Sequence, residues 1–158
     1  MANVLTADVV VAAPAEATWS VLTDWPRQSE WVLLTRTRGV GPTKGHAVGE
    51  RVYAFTGVGR VGFCDSMVIQ RWDPPRVCGV RKTGRVVRGE AVFRVEPLGA
   101  DRCRVSYEAV VLMPFGRAGE ALWPLVRPVA AAGFRRSLAE LGRVVAAEQR
   151  HTAPPARA

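Results

Sequence analysis

Two stretches of strict alternation followed by one long amphipathic segment leave this chain few ways to fold. From Val86 to Val95, the residues Val87, Gly89, Ala91, Phe93 and Val95 fall on one face, with Arg88, Glu90 and Arg94 mainly on the other. After the turn Pro97-Leu98-Gly99-Ala100-Asp101, Cys103, Val105, Tyr107, Ala109 and Val111 alternate against Arg102, Arg104, Ser106 and Glu108. A period of two marks antiparallel strands with one covered face and one wetter face. The covered face needs a partner, and Gly116 to Glu148 supplies it. There Leu122, Leu125, Val126, Val129, Phe134, Leu138, Leu141, Val144 and Val145 form a helical stripe. Pro124 and Pro128 lie inside that stripe and predict a kink or break near Trp123 to Val129.

The rest of the chain extends the same plan. Asn3 to Val11 reads as a first strand, and Ala13-Pro14-Ala15-Glu16 opens a short helix with Ala15, Trp19 and Leu22 on one face. Asp24-Trp25-Pro26 punctuates it, and a second short helix is expected from Arg27 towards Leu33. Four further strands are expected at Arg36 to Val40, Glu50 to Thr56, Phe63 to Trp72 and Arg76 to Thr83, separated by Gly- and Pro-rich turns. The expectation is an α+β domain at residues 1–150, with a disordered tail at 151–158.

Composition narrows the functional classes. No stretch approaches the roughly 20 apolar residues of a membrane span. The start, Met1-Ala2-Asn3-Val4-Leu5-Thr6, lacks the basic and apolar regions of a secretory signal. Cys64, Cys78 and Cys103 are scattered and odd in number, which suits reduced thiols and a cytoplasmic location. No cofactor is expected, and with only His46 and His151 and no ligand-like cysteine spacing, no metal either. The formal charge of +8 is almost all arginine, since Lys44 and Lys82 are the only lysines. A GC-rich coding bias explains that balance; so would an anionic partner such as RNA, a ribosome or a phospholipid surface. Nucleic acid is the weaker reading, because the arginines alternate along strands and no stacking aromatic platform is interleaved with them.

Gly57-Val58-Gly59-Arg60-Val61-Gly62 spells a dinucleotide-binding pattern, but a strand follows it where that site needs a helix N-terminus. It reads as a hairpin turn. His46 sits in a Gly-rich loop and is expected to be solvated. Glu90, Glu96 and Glu108 are expected in cross-strand ion pairs with arginines. Trp19 and Trp31 are expected in the core, Trp72 beside the Pro74-Pro75 turn, and Trp123 at a cavity mouth.

Several motifs occur in an order that resembles the START-like, birch-allergen-like (SRPBCC) superfamily, and within it the bacterial polyketide cyclase/dehydrase and lipid-transport group. They are Ala13-Pro14-Ala15-Glu16 with Trp19, Thr23-Asp24-Trp25 with Trp31, Val48-Gly49-Glu50-Arg51, Trp72-Asp73-Pro74-Pro75-Arg76 and the strand opening Gly84 to Gly89. The likeness spans Val4 to Ala147. It implies a helix-grip fold: a curved antiparallel sheet wrapped around a long C-terminal helix, two short N-terminal helices, and an internal cavity for a hydrophobic small molecule. It carries over no catalytic residue, because the superfamily shares none. It is compatible with a monomer or a homodimer.

Strand phase then nominates a cavity wall. From the sheet it takes Tyr53, Phe55, Met67, Ile69, Phe93 and Tyr107; from the helix it takes Trp123, Val126, Val129 and Phe134. A slip of one residue in the Tyr53 or Met67 strand would turn every side chain to the other face. Polar candidates within such a wall are Asp65, Tyr53, Tyr107, and Arg81 or Arg85. Asp65 shares a phase with Met67 and Ile69, and a buried carboxylate can act as a general acid or base. In a cyclase it would take a proton alpha to a carbonyl while Tyr107 or Arg81 stabilised the enolate oxygen. In a binding protein the same groups would orient a ligand.

Overall fold

The computed structural model describes residues 3–152. The chain runs β1 (Asn3–Val11), α1 (Ala15–Leu22), a 3-10 segment (Trp25–Glu30), β2 (Thr35–Val40), β3 (Arg51–Val58), β4 (Val61–Asp73), β5 (Val77–Thr83), β6 (Arg88–Pro97), β7 (Cys103–Leu112) and α2 (Arg117–Thr152). Every neighbouring pair is antiparallel, in the order β1-β7-β6-β5-β4-β3-β2. This is the helix-grip fold: the curved sheet wraps α2, and α1 with the 3-10 segment braces one end. Each expected strand is present, with bounds moved by at most two residues. The second short helix is a single 3-10 stretch that ends at Glu30 rather than continuing to Leu33.

The braced end is solid. Leu138, Leu141 and Val145 of α2 are fully buried there, with Val11, Leu22, Ile69 and Val105. Arg27 ties the 3-10 segment to α2 through Glu148, and it also pairs with Glu30 at 2.9 Å. Between β2 and β3, Glu50 organises the loop. Its carboxylate accepts from Thr43 N (2.9 Å), Thr43 Oγ1 (2.8 Å), Gly45 N (2.6 Å) and His46 N (3.2 Å). His46 is therefore not the solvated loop residue the sequence suggests. Its ring nitrogens lie 2.6 Å from Thr43 O and 2.9 Å from Thr23 O, and it packs between Trp25 and Trp72. Trp72 sits 5.3 Å from Trp19, so it joins an aromatic cluster under the loop as well as flanking the Pro74-Pro75 turn.

The N-terminal half of α2 behaves differently. The helix continues unbroken through Pro124 and Pro128 where a kink or break is expected. Each proline leaves the carbonyl four residues earlier without its N–H. Those carbonyls, on Glu120 and Pro124, belong to exposed residues, where water can take the missing bond. Leu122, Leu125 and Val129 are exposed too, so the apolar stripe is buried only along its second half. The helix also runs on through His151 and Thr152, two residues beyond the expected domain limit. The rest of the expected disordered tail, 153–158, lies outside the described residues.

Candidate functional site

The space that α2 leaves above the sheet is a cavity of about 570 Å³. It exists because several inward positions carry small side chains. On β3 the inward residues are Val52, Ala54 and Thr56, on β6 Ala91, and on α2 Ala130, with the exposed Gly133 at the edge. Larger apolar groups complete the wall: Met67, Val80, Phe93 and Tyr107 from the sheet, Trp123, Val126 and Phe134 from the helix, and Trp25 and Trp31 from the braced end. The wall is held by stacking. The Tyr107 ring lies 4.3 Å from Phe134 at 12°, and 4.7 Å from Phe93 at 45°.

Six of the ten expected wall residues border this space: Met67, Phe93, Tyr107, Trp123, Val126 and Phe134. Tyr53, Phe55, Ile69 and Val129 do not. Tyr53 and Phe55 point to the outer face, where the Arg36 guanidinium sits 5.4 Å over the Phe55 ring. Their strand is one residue out of the expected phase, as cross-strand pairing requires. Ala54 lies opposite Asp65 and Val52 opposite Met67, and directly opposed residues share a face. Ile69 has the expected inward phase but belongs to the solid core beyond the cavity floor. Val129 lies on an exposed flank of α2.

The polar candidates sort in the same way. Tyr53, Arg81 and Arg85 are not in the cavity; Arg81 and Arg85 are exposed. Asp65 and Tyr107 are in it, both buried. The cation facing Asp65 is one that the strand reading passes over. Lys82 Nζ lies 3.1 Å from Asp65 Oδ2, and both side chains are largely buried, at 16% and 7% exposed. Lys82 follows Val80 with period two and so shares its inward phase. Gly84 stands opposite Asp65 and makes room for it: a Cβ there would fall 2.2 Å from Asp65 Oδ1. That oxygen, like Trp31 Nε1, is enclosed without a hydrogen-bond partner among the described residues. Two wall hydroxyls, by contrast, are spent on each other: Thr35 Oγ1 lies 3.0 Å from Thr56 Oγ1. Glu96 pairs with Arg104 at 3.6 Å, whereas Glu90 and Glu108 make no ion pair among the described residues.

Burial, and secondarily the Asp65 charge, pushes the Tyr107 phenol above its ordinary range, so it remains a protonated donor at neutral pH. Burial likewise pushes the Cys78 thiol up to about 12, and raises Cys103, whose Sγ donates to Thr18 Oγ1 at 3.2 Å. Neither thiol is a nucleophile at neutral pH. These shifts fix the sign of an alkaline effect. An acid whose folded pKa is raised binds more protons when folded than when unfolded, so stability is full below the unfolded pKa and falls as pH rises towards the folded one. For Cys78 that window runs from about 9 to about 12, and for Tyr107 it opens near pH 10. Chemical denaturation across pH 8 to 11 should therefore show a falling midpoint, with a shallower slope in Cys78→Ala; equal slopes would refute the assignment. Among the described residues no three His, Cys, Asp or Glu side chains gather as a metal would need.

Comparison with known proteins places this geometry. The model of a family described as polyketide cyclase / dehydrase and lipid transport matches residues 3–146. The chain belongs to that family. Comparison with curated protein sequences finds no match. Among solved structures, the family member described here resembles the Zhui aromatase/cyclase from Streptomyces sp. R1128, with a TM-score of 0.76 at 18% identity over 97% of this chain and 98% of that one. It also resembles a START superfamily protein from Mycobacterium smegmatis (TM-score 0.72, 16% identity, 92% and 98% covered). A third likeness is to a polyketide-cyclase-like protein from Corynebacterium glutamicum (TM-score 0.68, 17% identity, 96% of each chain). At such identities these structures speak for the shared fold alone. Among the described residues no helix is long and apolar enough to cross a membrane.

Proposed function

We propose that the chain binds a single apolar small molecule in the cavity between α2 and the sheet, with the Asp65–Lys82 pair orienting a polar group of that molecule. The observation that carries this reading is the composition of the wall. A space of about 570 Å³ is bounded mostly by aliphatic and aromatic side chains, with one buried ion pair, one buried phenol, the Gln28 amide and the hydroxyls of Thr35, Thr56 and Ser137 among them. That is the anatomy of a small-molecule site: mostly apolar, with a few polar groups that fix orientation. Native mass spectrometry of the purified chain, with denaturing extraction, is the direct test. A co-purifying hydrophobic molecule is expected. For the emptied protein, parinaric acid should quench the emission of Trp25, Trp31 and Trp123, which border the space. No bound mass together with no quenching would overturn the reading.

A cyclase or dehydratase reading has its own observation: Asp65, Lys82 and Tyr107 border one cavity. There an ionised Asp65 could take a proton alpha to a carbonyl, while Lys82 or the protonated Tyr107 stabilised the enolate oxygen. The Zhui neighbour is an aromatase/cyclase by name, which makes a polyketide the substrate class to try first. Asp65→Asn separates the readings. An enzyme should lose turnover on such a substrate by a factor of about 100 or more while still quenching with parinaric acid. Unchanged turnover would remove Asp65 from the chemistry.

A further inference from the structure

We infer that the open end of the cavity is a docking face for an anionic phospholipid surface. Strand pairing brings that end together. Val58 pairs with Val61 across the β3–β4 hairpin, Thr83 with Arg88 across the β5–β6 turn, and Arg88 with Leu112 at the end of β7. The exposed Leu33, Phe63 and Val86 border the cavity as well as solvent, which marks its mouth here. Around that mouth stand the most exposed large apolar side chains of the fold, Phe115 at 88% and Val61 at 82%, with Leu125 and Val129 on the neighbouring flank of α2. Phe115 holds φ 67, a left-handed conformation unfavourable for a bulky side chain, so the backbone gives no reason for a Phe at this tip.

Arginines alternate with these groups. Arg60 precedes Val61, Arg85 precedes Val86, Arg117 follows Phe115 by two, and Arg127 lies between Leu125 and Val129. None of the four pairs with an acid among the described residues. Outside the cavity the acids nearest this rim are Glu90 and Glu120, whereas Glu16, Asp24, Glu50, Asp73, Glu96 and Asp101 lie at or beside the loops of the opposite end. Separate apolar side chains projecting from several turns, with unpaired guanidinium groups between them, suit a lipid interface. Acyl chains accept such groups without shape complementarity, and anionic headgroups attract the arginines. A second copy of the chain would need a continuous matching face, and a nucleic acid would need stacking rings that the rim largely lacks.

The test is co-sedimentation of the full chain with phosphatidylcholine vesicles that contain or lack phosphatidylglycerol. Binding should require phosphatidylglycerol and weaken with added salt. It should fall about fivefold for each arginine neutralised in Arg60→Ser, Arg85→Ser and Arg117→Ser, and disappear in Phe115→Asp/Leu125→Asp. None of these five residues borders the cavity, so parinaric acid quenching without vesicles should be unchanged in every variant. That control keeps a failed docking face distinct from a failed cavity, and the arginine variants serve should the apolar one misfold. Binding indifferent to phosphatidylglycerol, or variants that bind like the parent, would overturn the inference. So would a dimer broken by Phe115→Asp/Leu125→Asp without vesicle binding, which would give the face to a second copy.

Discussion

Lys82→Met should destabilise the chain by roughly 3–5 kcal/mol, because it strands a buried carboxylate. At about 2–4 °C per kcal/mol for a domain of this size, the melting temperature should fall by on the order of 10 °C. The reason is geometric. Asp65 is 7% exposed, Lys82 Nζ is its cation at 3.1 Å, and the second carboxylate oxygen already lacks a partner among the described residues. The reverse change, Asp65→Asn, should cost less, since the lysine stem can turn its ammonium towards water. The double variant Asp65→Leu/Lys82→Met should recover most of the loss, as apolar replacement of a buried pair is often neutral or better. Thermal melts of the four proteins decide the matter. Two equal single losses, or no recovery in the double, would show that the pair does not act as a buried unit.

The same pair shows what could be read from the sequence and what could not. Alternation in β6 and β7 gave the face of each residue correctly, because tight hairpins and one covered face leave no other register. In β3 the phase that carries Tyr53 and Phe55 is the outer one, although it holds the larger side chains. Hairpin geometry makes that legible. A two-residue turn at Gly59-Arg60 makes Val58 face Val61, and counting back places Ala54 opposite Asp65. An inward Asp65 therefore requires an inward Ala54. Lys82 was equally within reach, since it follows Cys78 and Val80 on one phase of β5. The limits of the cavity were not legible. Ile69 has the right phase, yet a register shift between Ile69 and Arg71 and the packing of the braced end place it in solid core. Likewise a helical stripe looks the same whether it covers a sheet, as at Leu138 and Leu141, or faces outward, as at Leu125 and Val129.

Gly133→Phe should weaken ligand binding about a hundredfold while leaving the fold intact, which is the sharpest separation of cavity from core that this architecture offers. Most wall substitutions confound the two, because removing a packed side chain costs stability and adding one strains its neighbours. Gly133 escapes that conflict. It borders the cavity on α2, and a Cβ built there meets nothing within 4 Å. Its φ is not in the left-handed range, so an ordinary side chain suits the backbone. Within a helix, glycine is less favourable than alanine by about 0.5–1 kcal/mol. Gly133→Ala should accordingly raise the melting temperature by a few degrees and leave quenching by parinaric acid nearly unchanged. Gly133→Phe adds a ring at the exposed edge of a space of about 570 Å³, so affinity should fall by on the order of a hundredfold where that ring overlaps the bound pose. The melting temperature of the phenylalanine variant should not fall below that of the parent. If it binds parinaric acid as tightly as the parent, the ligand sits elsewhere, and the exposed apolar rim becomes the place to look. If the alanine variant alone is destabilised, residue 133 is packed rather than open, and the cavity is smaller than its lining implies.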